Sequence, residues 1–362
     1  MDSALRIIEA DPLNAELPLE LVDQAPDVGG PCYVRNHFGI PRVDPDDWRL
    51  RIAGLVDEAG EWSLARLRQL PARSVTMMLE CAGNGRALMS PPIPGTPWAL
   101  GAVSPTTFTG TPLRDLLDRV GIGASAREVV CVGLDRGEVA PGRVEGYVRG
   151  LPLDVTRSDD VLVAWEQNGA PLAPEHGAPV RLVVPGWYGM ASVKWLSEIR
   201  LSDEPFHGYY QNERYVYVGE PGTPDGTPVG HIRVRALITC PTDGEVLRPG
   251  SVATVRGVAW AGVDPVTRVE VSTDDGATWE DAALGPDGRA GADREGPAGA
   301  ADARWGPVRW RREWRVPDGG THIVVARARD AAGDVQPLAS RWNALGYGNN
   351  VAHRVTVRVG EE

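Results

Sequence analysis

The stretch SVTMMLECAGNGR, residues 74–86, starts as an apolar strand and ends in a glycine-rich loop. A single cysteine, Cys81, stands where the strand gives way to Ala-Gly-Asn-Gly, and Arg86 follows. Small residues let backbone approach a bulky group closely, and exposed backbone N–H groups can satisfy anionic oxygens. Arg86 adds a fixed positive charge. Two readings of Cys81 stand side by side. It is a buried, inert thiol, the usual state of a lone cysteine. Or it is a thiolate whose pKa is lowered by a basic pocket and which holds a metal.

Outward from this stretch, the N-terminal part reads as mixed α+β. WRLRIAGLV (48–56) alternates, with Trp48, Leu50 and Ile52 on one face, and is predicted to be a strand. A short helix follows, with Ser63 as N-cap, Leu64 and Leu67 inward and Pro71 ending it. TPLRDLLDRVG predicts a helix capped by Thr111, with Pro112 at its first position and Gly121 after its end. Leu113, Leu116, Leu117 and Val120 form its apolar face. REVVCVGL (127–134), VLVAWEQ (161–167), PVRLVVPG (179–186) and VKWLSEIRL (193–201) read as further strands.

The texture changes near residue 232. ALITCP, SVATVRGVAW, TRVEVSTDDGATW, RWRREWRVP, HIVVARARD and HRVTVRV are short alternating strands separated by turns such as Asp275-Gly276. That pattern predicts an all-β immunoglobulin-like sandwich. The expected division is therefore 1–232 and 233–362. The segment 284–304, rich in Gly, Ala and Asp, is expected to be a mobile surface loop.

Composition narrows the function classes. The 362 residues carry 37 Lys+Arg against 49 Asp+Glu, a formal net charge of −12. An acidic chain lacks the basic surface that nucleic acid requires, so no nucleic-acid partner is expected. No run of about 18 apolar residues occurs, so no membrane span is expected. The N-terminus shows neither a secretory signal nor a twin-Arg pair, which predicts a cytoplasmic protein. Cys32, Cys81, Cys131 and Cys240 are far apart and form no CxxC, which predicts free thiols rather than a zinc ribbon. Gly83-Asn84-Gly85 fails as a dinucleotide fingerprint because Leu88 replaces the third glycine, and Walker A, G-x-S-x-G and HExxH motifs are absent. Taken alone, each of the six histidines is read as structural rather than as a metal ligand.

CAGNGR, together with YVRNH (33–37), NGAPLAPEHGAPVRLVVPGWYGMASVKWL (168–196) and ERY (213–215), resembles the sulfite oxidase family of molybdenum enzymes. The likeness runs from DPLNAELP (11–18) to WNALGYGNNVAHRV (342–355). It implies a molybdopterin-binding α+β domain over 1–232 and an immunoglobulin-like dimerisation domain over 233–362. It also implies a molybdenum held by a pterin dithiolene and by one protein ligand, the Cys81 thiolate. Tyr33, Val34, Arg35, Asn36 and His37 match residues that line the pterin. So do Asp135, His176, Arg181, Ser192, Val193 and Lys194. Arg35, Arg86 and Tyr215 match residues facing the substrate, and Trp98 matches a wall residue. Arginine and lysine at 181 and 194 also suit a phosphate on chemical grounds.

The resemblance departs at three positions near the substrate. Leu345 replaces an arginine, Pro94 a lysine, and Asn84-Gly85-Arg86 stands for Asn-Arg-Arg. The implied reaction is oxygen-atom transfer to or from a small oxyanion, with oxidation of sulfite to sulfate first and reduction of nitrate or another oxyanion second. A cofactor-free binding protein is the third reading. No CxxCH and no HPGG-type haem loop occur, so no haem is expected. Electrons would pass to a separate carrier such as a cytochrome. A homodimer is expected.

Overall fold

The computed structural model describes residues 4–24, 30–285 and 304–360. The predicted loop 284–304 falls, apart from its ends, outside the described residues.

Two five-stranded sheets build the N-terminal part. One runs Gly60–Ser63, Arg49–Gly54, Leu196–Ser202, Glu128–Ala140 and Arg143–Pro152. Trp48, Leu50 and Ile52 are buried as their alternation requires, and Arg49 and Arg51 face out. The other runs Ala170–Pro171, Leu162–Gln167, Val103–Pro112 and Arg73–Glu80, with Arg181–Val183 paired to Leu162–Gln167. Ser63 caps the short helix Leu64–Leu67 by accepting from the Arg66 N–H.

Helix content is small. Among the described residues the longest helix is Leu113–Val120, and its predicted apolar face is buried. Its predicted cap is not formed. The strand Val103–Pro112 continues directly into the helix, so Pro112 takes the N-cap place and Thr111 stays in the strand, buried opposite Val163. Sheet pairing holds Thr111 in extended backbone, which keeps its hydroxyl from the helix N–H groups. Gly121, at φ +73, ends the helix as expected.

The C-terminal part is two facing sheets. Arg235–Cys240, Val252–Trp260, Val308–Arg315 and Ala283–Leu284 form one. Val246–Leu247, His353–Val359, Gly320–Asp330, Val266–Ser272 and Glu280–Asp281 form the other. Alternate residues of both sheets fill the space between them, among them Trp310, Val324, Ala326, Val355 and Val357. A further core joins the two parts of the chain, because Leu237, Val258, Trp260 and Tyr347 pack with residues of the first sheets. Trp305 also bridges them. Its carbonyl accepts from the Met78 N–H at 2.8 Å and its indole N–H donates to Asp160 at 2.8 Å.

Candidate functional site

Cys81 lies one residue past the strand Arg73–Glu80, where the chain turns into the loop 82–86. Gly85 makes the turn at φ +83, which favours glycine. Residues far along the chain fasten the loop. Asn349 Nδ2 donates to the Gly85 carbonyl at 2.7 Å, and the Gly348 N–H donates to the Ala82 carbonyl at 2.8 Å.

Cys81 opens into a cavity with about 610 Å³ of space between its lining atoms, part of it open to solvent. Tyr33, Arg35 and His37 reach it from one loop, and Asp135 reaches it from the long strand Glu128–Ala140. Pairing between that strand and Arg143–Pro152 is irregular from Val132 to Arg136, opposite Tyr147. Such an irregularity re-aims side chains, and both Asp135 and Tyr147 line the cavity. His176, Arg181, Ser192 and Lys194 come from the segment 174–194, and Tyr215 closes another side. Ten of the residues singled out in the sequence therefore share one cavity.

Five others do not line it. Val34 bridges to Ala15. Asn36 donates to the Leu13 carbonyl and accepts from Lys194 Nζ, so it holds a lining residue in place. Val193 is core. Trp98 is fully buried behind Tyr33, edge-on at 6.5 Å. Arg86, expected to face the substrate, is not on the lining. Its Nη1 donates to the Thr96 carbonyl at 2.9 Å and its Nη2 to the Leu345 carbonyl at 3.2 Å, while its guanidinium lies 5.3 Å from the centre of the Tyr347 ring. Gly346 permits this approach, because a Cβ there would stand 2.7 Å from Arg86 Nε at a φ of +67.

The sequence missed Tyr147, Met190, Gly189, Leu79 and Ala82 on the lining. Leu79 and Ala82 flank Cys81 in the stretch 74–86, and Gly189 and Met190 fall in the segment 168–196, whereas nothing in the local pattern marks Tyr147. Tyr147 and Tyr210 stack around His37 at 4.9 and 4.7 Å, and Tyr347 stacks on Tyr215 at 4.9 Å. His37 Nε2 and the Tyr215 hydroxyl are 2.7 Å apart.

The electrostatics are lopsided. Arg35 donates to Asn14 and to the Asn36 carbonyl. Arg181 donates to the carbonyls of His176 and Ser192, at 3.0 and 3.1 Å. Lys194 donates to the carbonyls of Arg35 and Glu175 and to the Asn36 side chain. Among the described residues, none of these three cations is ion-paired with a carboxylate. Burial, reinforced by Arg181, holds the Lys194 ammonium well below its ordinary pKa. Burial and the neighbouring cations Lys194 and Arg181 push His176 down to about 3, and burial and Arg35 hold His37 well below the ordinary range. The Tyr215 phenol is raised well above the ordinary range by burial. Burial raises the pKa of the Cys81 thiol, and the lowering by Arg35, the Gly83 N–H and Arg86 does not offset this.

Asp135 is pushed up to about 6 by burial, with Lys194 opposing. Its Oδ1 is buried without a hydrogen-bond partner among the described residues. A carboxyl raised on folding contributes stability at low pH that is lost as pH rises through the folded value. Asp135→Asn is therefore expected to melt closer to the parent at pH 5 and to gain on it by pH 8, by up to a few kcal/mol. Thermal melts at the two pH values check this, and a pH-independent difference would remove Asp135 from the balance.

The residues fit a molybdenum–pterin group. Cys81 is the only thiol on the lining, and the described residues hold no cluster of three or more His, Cys, Asp and Glu. A high-valent metal that takes one strongly electron-donating thiolate from the protein suits such a site. Buried Arg181 Nε has no hydrogen-bond partner among the described residues, and Gly189 leaves open space where a Cβ would stand 2.8 Å from the Tyr33 hydroxyl. Cations held only by carbonyls suit a phosphate-bearing ligand.

Comparisons with known proteins agree with this geometry. Residues 37–210 match the family model described as oxidoreductase molybdopterin binding domain, and 227–360 match the Mo-co oxidoreductase dimerisation domain. Mitochondrial sulfite oxidase of Mus musculus is 34% identical over 98% of this chain and 66% of its own length. Nitrate reductase [NADH] 2 of Phaseolus vulgaris is 32% identical over 99% of this chain and 42% of its own. This chain thus spans less than two thirds of either relative. Among solved structures, the sulfane dehydrogenase SoxCD of Paracoccus pantotrophus superposes with a TM-score of 0.78 at 25% identity, covering 97% of this chain and 87% of that one. No helix among the described residues is long and apolar enough to cross a membrane.

Proposed function

This chain belongs to the sulfite oxidase family of molybdopterin-dependent oxidoreductases, and from that premise we propose that it oxidises sulfite to sulfate and delivers the electrons to a separate carrier. The observation that carries the reading is the convergence of Arg35, Cys81, His176, Arg181, Lys194 and Tyr215 on one cavity whose cations, among the described residues, form no ion pair with a carboxylate.

When bound, the molybdenum–pterin group supplies two-electron oxygen-atom transfer. Cys81 would hold the metal, and Arg181, Lys194, His176 and Ser192 would hold the pterin and its phosphate. His176 does so neutral, as a hydrogen-bonding group rather than a charge. Arg35 and the Tyr215 hydroxyl would orient the oxyanion. Tyr215 keeps its proton at neutral pH, because its phenol is raised by burial, and its hydroxyl is held 2.7 Å from His37 Nε2. The rings of Tyr147, Tyr210 and Tyr347 pack against His37 and Tyr215 and support them.

The molybdopterin domain is proposed to end near residue 232, where one set of sheets gives way to the next, and 233–362 to be an immunoglobulin-like dimerisation domain. A homodimer follows from that reading, and sedimentation at twice the chain mass is the expected result. Nitrate reduction is the second reading, favoured by the nitrate reductase likeness and by Leu345 lying where the sulfite-oxidising pattern has a cation. Molybdenum-loaded protein is expected to turn over sulfite with an artificial oxidant faster than nitrate with reduced viologen. The reverse ranking overturns the sulfite assignment.

A further inference from the structure

Arg149 stands two residues after Tyr147 on the strand Arg143–Pro152, and alternation puts the two on the same face. It is 1% exposed. Among the described residues its guanidinium has no carboxylate within ion-pair distance. Its Nη1 donates to the Tyr210 carbonyl, its Nε is unpartnered, and its Cζ lies 5.7 Å from the centre of the Tyr215 ring. Arginine is always charged in a protein, and a buried unpaired cation costs several kcal/mol unless something nearby offsets it. One carbonyl and one aromatic face are a thin offset.

Two features connect this charge to the cavity. Tyr210 belongs to the π-helical turn Tyr209–Glu213 that leads into Tyr215, so the bond to its carbonyl anchors the segment that delivers Tyr215. Tyr215 itself sits at φ +52, a backbone conformation a tyrosine rarely adopts without support. Tyr147, Tyr210 and Tyr215 separate the guanidinium from the cavity, and their rings screen charge far less than water does.

We propose that Arg149 is a positioning residue for the oxyanion site, fixing Tyr215 from behind and adding a poorly screened positive charge to the cavity without touching the bound anion. The inference rests on the reading that an oxyanion binds beside Tyr215. It also accounts for the missing carboxylate, since the anion in the cavity offsets the buried charge.

The test compares Arg149→Gln, which keeps a donor for the Tyr210 carbonyl and removes the charge, with Arg149→Lys, which keeps the charge. Sulfate affinity is read by calorimetry on molybdenum-loaded protein, alongside sulfite KM and kcat and the melting temperature. Arg149→Gln is expected to raise the sulfate Kd and the KM about tenfold with kcat within about threefold, and Arg149→Lys to stay within about threefold on all of them. A Gln variant that binds sulfate like the parent overturns the proposal, as does a folded Lys variant that loses as much affinity as the Gln variant. If the Gln variant does not fold, the Lys variant alone decides: retained sulfate affinity supports the charge, and a tenfold loss removes it. A parent protein that binds no sulfate defeats the underlying oxyanion reading instead, so the two failures are distinguishable.

Discussion

Cys81→Ser is expected to lose turnover by at least two to three orders of magnitude, roughly, while most of the pterin stays bound. The replaced atom is the only thiol on the cavity lining. A serine hydroxyl is a harder donor that stays protonated where a thiol can ionise, and it gives a metal far less electron density than a thiolate. The pterin is expected to survive because its proposed holders are elsewhere. Arg181 keeps its carbonyl bonds to His176 and Ser192, and Lys194 keeps those to Arg35 and Glu175. Two measurements separate these effects: turnover with sulfite, and pterin released by acid and read by fluorescence. Full activity in the variant would remove Cys81 as the ligand. Loss of both activity and pterin would make Cys81 a folding residue.

The largest stability effect is expected at the neighbouring residue. Glu80 is 1% exposed and is held on three sides. Asn84 Nδ2 donates to it at 3.0 Å, Trp260 Nε1 at 2.9 Å, and Arg235 Nε lies 3.4 Å away as an ion pair. Trp260 and Arg235 come from the C-terminal sheets, so this carboxylate joins the two parts of the chain. Glu80→Ala leaves the Arg235 guanidinium buried and uncompensated, which costs about 3–5 kcal/mol. Removing both charges is less costly than removing one, since a buried pair can often be replaced by apolar side chains at little loss. The denaturation midpoint of Glu80→Ala is therefore expected to fall well below that of Glu80→Met combined with Arg235→Met. Equal losses would show that the charges contribute nothing beyond their packing.

Much of the fold is written locally. The alternation at Trp48, Leu50 and Ile52, the Ser63 cap and the Gly121 stop depend on near neighbours, and each forms as its residues dictate. Thr111 shows where local reading stops, because pairing with Val163, some fifty positions away, decides its backbone. The strand Arg143–Pro152 was equally hidden: it is held by a long hairpin with Glu128–Ala140, and its own residues alternate only weakly. The site divides in the same way. Motif resemblance located Cys81, Arg35 and Tyr215, which line the cavity. It could not show that Arg86 turns to the carbonyls of Thr96 and Leu345, since that depends on a glycine 260 positions later, Gly346. Nor could it gather Tyr147, Tyr210 and Tyr347, which come from three separate segments.

The fastening of the Cys81 loop has a consequence for how the protein is made. Every residue on the cavity lining has been synthesised once the chain reaches Tyr215. The groups that secure the loop emerge later: Arg235 and Trp260 at Glu80, the Leu345 carbonyl at Arg86, and Asn349 at Gly85. Tyr347, which covers Tyr215, is also among the last. Synthesis from the N-terminus therefore produces the receptacle before its clasps. Until residues 235–349 are added, the loop lacks its fasteners, and their arrival is the event that shuts it.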